Sequence, residues 1–335
     1  MSELKAIVNK IASSGKGILA ADESNGTMTK RLEGVKIQST AENRLNFRNT
    51  LFTSNAMKTC IGGVILYDET IRQENNSQKI PNIISQSGAV PGIKVDTGAK
   101  VMANSSQEKI TEGLDGLRER LKDYYSLGAR FTKWRGVFTI SEEHPSKLSI
   151  SSNVHALARY AALVQEAGMV PIIEPEVLMD GNHSVEVCFN KTSEVIKKCY
   201  EELILFKIDL EGTILKPNMI LPGADSDQKI SSGEIAELTL KCLKENVPSE
   251  VSVIAFLSGG QTEIQATKNL NEINKINQTN FIFTYSYGRA LQQSALKHWS
   301  KNIKDKTGTQ EIFNHRAEMC SKASKGEWSE TLEKS

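Results

Sequence analysis

The segment Gly212-Thr-Ile-Leu-Lys-Pro-Asn-Met219 sets Lys216 at the end of a β-branched, apolar run, with a proline directly after it. Burial disfavours the ammonium form, so an inward lysine there is expected to have a lowered pKa and to spend time as the free amine. A free amine attacks carbonyl carbon, the first requirement of Schiff-base catalysis. Taken alone, Lys216 reads more simply as a strand-end side chain that snorkels to water. Its company changes that reading. Residues two apart share a strand face. Asp22 therefore shares one with Ile18 and Ala20, and Lys94 shares one with Asp96. Lys133 goes with Phe131 and Arg135, Glu174 with Ile172 and Glu176, and Lys216 with Ile214 and Asn218. One such end is a solvated charge or a structural ion pair. Five in one chain point to a shared site, because charged side chains are rarely buried unless paired. Desolvation and repulsion among Lys94, Lys133 and Lys216 are expected to depress at least one lysine pKa, and the carboxylates supply general acid/base groups.

Eight short segments carry strand signals: 17–22, 60–67, 90–96, 131–138, 170–177, 212–219, 251–257 and 281–285. Their starts lie roughly 30 to 43 residues apart, room for a strand and a crossover helix. Ser152, Ser193 and Ser232 stand where each is expected to cap one of these helices, and Gly168 to stop the first. Near-continuous apolar strands alternating with helices specify an α/β fold with a parallel sheet. Eight such repeats predict a closed (β/α)8 TIM barrel, a single domain over 1–335, with its active site at the C-terminal strand ends. The pattern Leu4, Ile7, Val8 and Ile11 predicts an ordinary surface helix at the N-terminus. The polar stretch from about 301 to 335 predicts a C-terminal helix and a mobile tail.

Two glycine-bearing turns follow the last two strands. One is Ser258-Gly-Gly-Gln261, the other Ser286-Tyr-Gly-Arg289, and each leads into a helical pattern. Glycine lets backbone amides approach a ligand, and a helix N-terminus favours an anion. In a barrel these are common phosphate-holding loops. Arg289 beside Ser286 tips the reading toward phosphate. Lys30 and Arg31, after Ser24-Asn-Gly-Thr27, read alone as a solvated helix face. Opposite a phosphate site, they suit the far end of a doubly phosphorylated substrate.

A formal net charge of +1 gives no reason to expect nucleic acid or a membrane as partner. No apolar run reaches membrane-spanning length, and no secretory leader stands at the N-terminus. Five dispersed cysteines without CxxC spacing suit reduced thiols in the cytoplasm. The histidines are scattered without HxxH or HExxH spacing, and there is no P-loop or Rossmann fingerprint. No metal and no cofactor is expected.

The motifs Gly15-Lys-Gly-Ile-Leu-Ala-Ala-Asp-Glu-Ser24, Cys60–Tyr67, Gly92–Asp96, Lys133-Trp-Arg135, Glu174-Pro-Glu176, Leu215–Met219, Leu257–Gln261 and Ser286–Gln292 occur in this order. Together they resemble class I fructose-bisphosphate aldolase, over about residues 11–299. The resemblance implies a metal-independent lyase that reversibly cleaves fructose 1,6-bisphosphate to dihydroxyacetone phosphate and glyceraldehyde 3-phosphate. It implies that Lys216 is the Schiff-base lysine, Glu174 the general acid/base and Glu176 the carboxylate next to it. Asp22 and Lys133 match groups that position substrate and tune protonation, and Lys94 a lysine lining the pocket. Ser258, Gly259, Gly260, Ser286, Gly288 and Arg289 match the ketone-side phosphate site. Thr27, Lys30 and Arg31 match the other phosphate region, with threonine where many members have serine. A homo-oligomer, commonly a tetramer, is implied as well.

One departure stands out. Vertebrate-type members end in a tail whose terminal tyrosine carries the enamine proton, whereas the last tyrosine here is Tyr287. The proton carrier is therefore unassigned. The competing class of function is a catalytically silent sugar-phosphate-binding protein on the same fold. Its expected mark, loss of Lys216 or Glu174, is missing from this sequence. A third reading, a related Schiff-base barrel for another sugar phosphate, must explain two phosphate regions.

Overall fold

The computed structural model describes residues 2–334. Eight parallel strands close into a barrel in chain order: β1 (Gly17–Ala21), β2 (Ile61–Leu66), β3 (Val90–Lys94), β4 (Phe131–Phe138), β5 (Val170–Val177), β6 (Ile214–Leu215), β7 (Val253–Phe256) and β8 (Ile282–Tyr287). Pairing of Ile18 with Ser286 joins β8 back to β1. Helices longer than a single turn are α1 (Glu3–Ile11), α2 (Asn25–Glu33), α3 (Ala41–Phe52), α4 (Ile80–Gln86), α5 (Leu117–Ser126), α6 (Lys147–Glu166), α7 (Val185–Leu205), α8 (Ser232–Asn246), α9 (Glu263–Ile276), α10 (Arg289–Trp299) and α11 (Lys306–Ala323). The (β/α)8 architecture is the expected one.

The interior divides by height. Ile18, Ile65, Val90, Phe131, Val170, Ile172, Ile214 and Val253 form an apolar floor packed with Val8 and Ile11 of α1. That helix is not the surface helix its spacing suggests: Val8 and Ile11 are fully buried. It sits so close to β2 that a Cβ added to Gly62 would fall 1.9 Å from the Ile11 carbonyl oxygen. Only glycine leaves room for the plug.

Strands β4 and β5 have the expected bounds. β6 is shorter than expected, because residues Leu210–Gly212 turn as a 3-10 helix and Pro217 has no N–H for the ladder. Two caps also differ. Ser146, not Ser152, caps α6, and Ser184, not Ser193, caps α7, because each apolar pattern starts earlier than the serine expected to begin it. Ser231 stands one residue before the expected cap of α8, with Glu234 completing a capping box. Two hairpins absent from the expectation leave the barrel: Glu74–Asn75 with Gln78–Lys79, and Gly98–Met102 with Ser105–Glu112. After α11 the chain is seated where a mobile tail is expected. Trp328 is buried, its indole donates to Glu333, and Glu333 accepts from Arg316 at 2.6 and 2.9 Å.

Candidate active site

Above the apolar floor lies a cavity of about 700 Å³ at the C-terminal strand ends. Of the residues singled out from sequence, every one except Lys30 lines it. Lys30 is exposed on α2 and lies outside this lining. The alternation argument holds on β4 and β5 and stops at Pro217. Beyond that point Asn218 turns away, accepting from the Val177 amide and donating to Thr192 on α7.

Lys216 follows β6 directly, its amide donating to the Ile173 carbonyl at 2.8 Å. Its side chain is nearly fully buried, and its Nζ lies 3.1 Å from Glu174 Oε1. The other oxygen, Oε2, is 3.4 Å from Lys133 Nζ but outside hydrogen-bond geometry, so it is a buried acceptor without a hydrogen-bond partner. Burial pushes the Glu174 carboxyl up, but Lys216, Lys133 and Arg135 outweigh it and hold the group below its ordinary value. Glu174 is thereby held ionised.

Lys133 has the opposite surroundings. Its ammonium is 2.8 Å from Asp22, 3.4 Å from Glu174 and 4.0 Å from Asp96. Burial works against the charge, yet Asp22, Glu174 and Asp96 prevail and push its pKa up. The expected depression by neighbouring lysines is thus reversed at Lys133, because carboxylates surround it. Asp22 is its counterpart. Burial raises that carboxyl, while Lys133, Lys216 and Lys94 hold it far below the usual carboxylate range. Lys94 bonds Asp96, and Glu176 is tied by Arg135 Nε. Of the two glutamates on β5, Glu174 keeps a buried oxygen, Oε2, without a hydrogen-bond partner.

The opposite wall differs in its materials. Gly259 (φ +54°) and Gly260 (φ +85°) carry the chain out of β7 in a left-handed conformation, with open space beside Gly260. Ser286 at the end of β8 is buried, and its hydroxyl has no partner. Gly288 begins α10 without a side-chain cap, so first-turn N–H groups remain available to an anion. Arg289 is exposed at the rim. On the β1 side Ser24 caps α2, accepting from the Thr27 amide at 3.3 Å, with the Thr27 hydroxyl 3.2 Å from its own.

The lining also includes residues to which sequence reasoning gave no role, Asp96, Tyr67 and Glu23 among them. Asp96 links Lys94 to Lys133, Tyr67 continues the inward face of β2, and Glu23 sits beneath Arg31. The i, i+2 rule already placed Asp96 and would have placed Tyr67 after Ile65. Glu23 points out of register with that rule, so no local pattern marks it. Among the described residues, no group of three or more His, Cys, Asp or Glu is arranged to hold a metal ion, and no helix is long and apolar enough to cross a membrane.

Comparison with known proteins identifies the family and the fold. The family model "Fructose-bisphosphate aldolase class-I" matches residues 3–335. A "Probable fructose-bisphosphate aldolase class 1" of Xylella fastidiosa is 45% identical over 330 residues, covering 98% of this chain and 99% of its own. "Fructose-bisphosphate aldolase 4, cytosolic" of Arabidopsis thaliana is 45% identical over 326 residues, covering 97% and 83%. Among solved structures, fructose-bisphosphate aldolase from Plasmodium falciparum, in complex with TRAP and a small-molecule inhibitor, superposes with a TM-score of 0.96. It has 41% identity and covers 98% of this chain and 95% of that one.

Proposed function

The chain belongs to the class I fructose-bisphosphate aldolases, lyases that cleave fructose 1,6-bisphosphate reversibly through a lysine Schiff base, and from that premise we propose that Lys216 is the amine and Glu174 its proton partner. The observation that carries this assignment is the buried pair of Lys216 Nζ and an ionised Glu174 carboxylate 3.1 Å away. Glu174 carries two protons in turn from the Lys216 nitrogen to the keto oxygen: the first, as nitrogen adds to the keto carbon, completes the carbinolamine, and the second lets its hydroxyl leave as water. The resulting iminium is an electron sink. Glu174, again a base, accepts the hydroxyl proton at the bond to be cleaved. That carbon–carbon bond breaks, its electrons flow to nitrogen as an enamine, and the aldehyde departs. Protonation of the enamine carbon and hydrolysis of the imine release the second product.

Lys133, held cationic by Asp22, Glu174 and Asp96, supplies a fixed positive charge beside this chemistry. Asp22 and Lys94 hold that array in place, and Glu176 sits in its pair with Arg135. The loops after β7 and β8 are proposed to grip the ketone-side phosphate through Ser258, Gly259, Gly260, Ser286, Gly288 and Arg289. Thr27 and Arg31 complete the phosphate-binding wall on the β1 side, and Lys30 contributes only through its charge at the rim. Anchoring by phosphate keeps the reacting carbon at Lys216.

The direct test is borohydride reduction in the presence of dihydroxyacetone phosphate, followed by peptide mass spectrometry. The adduct is expected on Lys216, and an adduct on another lysine rejects the assignment. The family further supports a homo-oligomer, a tetramer by resemblance, working in the cytoplasm as its cytosolic relatives do. Exposed Ile204 and Leu205, side by side at the end of α7, suit a covered surface. Sedimentation equilibrium reads the assembly, and a protein that stays monomeric removes that part of the proposal.

A further inference from the structure

Glu23 is buried, yet it neither joins the Lys216 array nor pairs with a neighbour in sequence. One carboxylate oxygen, Oε1, receives the Nη1 group of Arg31 on α2 and the side-chain amide of Gln292 on α10, the latter at 3.2 Å. The other, Oε2, is 3.5 Å from Arg48 of α3. Gln292 also donates to the Ala20 carbonyl at 2.7 Å, so the same amide bridges β1 and α10. Glu23 thus knots together α2, α3 and α10 below the rim of the cavity.

The consequence lies in where this leaves Arg31. With Nη1 tied down, Nη2 is turned to the seam between β1 and β8, only 3.8 Å from where a Cβ on Gly288 would stand. Gly288 opens the turn that also carries Arg289 and follows the orphaned hydroxyl of Ser286. The pair that sequence reasoning set together at the other phosphate region is therefore split. Lys30 points to solvent, and Arg31 reaches the loop after β8. A planar guanidinium held by one arm presents the other in a fixed direction, which suits a tetrahedral oxyanion. The negative charge of Glu23 does not cancel this. Arg48, fully buried behind it and bonded to Thr70 and to the Glu23 carbonyl, both at 2.8 Å, balances the carboxylate from the far side.

We propose that Glu23 is a positioning residue that makes Arg31 part of the phosphate site after β8, so that one phosphate of the substrate is held jointly by Arg31 and the Ser286–Arg289 turn. The proposal rests on the phosphate-site reading above and adds to it the residue that aims Arg31. It makes Glu23 act on retention of the anion and leaves the covalent chemistry at Lys216 alone.

The test is a double-mutant cycle in steady-state cleavage of fructose 1,6-bisphosphate, with inorganic phosphate as a competitive probe. Glu23→Gln keeps the shape and one acceptor but releases the charged tether. It is expected to raise KM about tenfold, with kcat within about twofold, and to weaken inhibition by phosphate in parallel. Arg31→Met is expected to raise KM at least as much, and adding Glu23→Gln to it should cost no more than about a further twofold. If the two effects multiply, or Glu23→Gln lowers KM, the positioning role is overturned. Should Glu23→Gln fail to fold, Gln292→Met removes one arm of the knot without touching either arginine. It is expected to raise KM by a smaller factor in the Arg31 background and not in Arg31→Met. The same factor in both backgrounds rejects the proposal. Borohydride trapping on wild-type Lys216 runs alongside: its absence condemns the Schiff-base reading, whereas its presence with a multiplicative cycle condemns only the role of Glu23.

Discussion

The two walls of the cavity solve different problems with different materials. The wall from β3 to β6 is built of side chains: Lys94, Asp96, Lys133, Glu174 and Lys216 are each paired with an opposite charge. The wall from β7 round to β1 is built mainly of backbone: two left-handed glycines, an uncapped helix start and a hydroxyl without a partner. Reactivity needs groups whose protonation is set before substrate arrives, so the first wall is saturated with its own ion pairs. Retention needs groups left unsatisfied until the ligand fills them, so the second wall is short of partners. The difference predicts that damage to the first wall appears in kcat and damage to the second in KM.

The largest expected effect is at Lys216. Lys216→Met removes the proposed nucleophile, and kcat for fructose 1,6-bisphosphate cleavage should fall by about 10⁴-fold or more, with no borohydride adduct. Undiminished cleavage would end the covalent mechanism. Next is Glu174→Gln, which keeps the shape and removes the proposed base. A loss of about 10² to 10⁴ in kcat with KM little changed is expected, and the reverse pattern would move Glu174 to the binding wall. The pH profile separates the roles further. Because Lys216, Lys133 and Arg135 hold the Glu174 carboxyl below its ordinary value against burial, it stays ionised to lower pH than a free glutamate. The acid limb of kcat/KM in the wild type should therefore lie below the usual carboxylate range. Lys133→Met removes one of those cations and should move the limb to higher pH. A limb that does not move would detach it from Glu174.

How much of this was legible follows from what each feature depends on. The barrel is written in spacing and burial, both local, and β4 and β5 can be bounded to the residue by their apolar runs. Lys216, Glu174 and Lys133 are legible because each follows the i, i+2 alternation of its strand segment. The sense in which Lys133 titrates is not, because it depends on Asp22 and Asp96 arriving from other strands. Glu23 is hidden for the same reason: its partners Arg48 and Gln292 lie 25 and 269 residues away. The role of α1 is hidden more simply. An apolar stripe shows that a helix face is covered but not what covers it, and here the cover is the barrel floor. Cap serines were misplaced because serine is tolerated inside a helix as well as at its start, so Ser152 and Ser193 look like the true caps Ser146 and Ser184.

The smallest effect gives the most direct check on the contrast between walls. The hydroxyl of Ser286 is buried and bonded to nothing in the protein, while the residue is 2% exposed. An unpartnered buried hydroxyl does not stabilise the fold, so Ser286→Ala should leave the unfolding temperature unchanged or slightly raised. If the hydroxyl waits for a phosphate oxygen, the same change should raise KM by about three- to tenfold and leave kcat nearly untouched. The two readouts are predicted to move apart, which no structural role for Ser286 would produce. A fall in thermal stability with KM unchanged would place the serine among the residues that hold the barrel together, and the second wall would lose a side chain that is both buried and free.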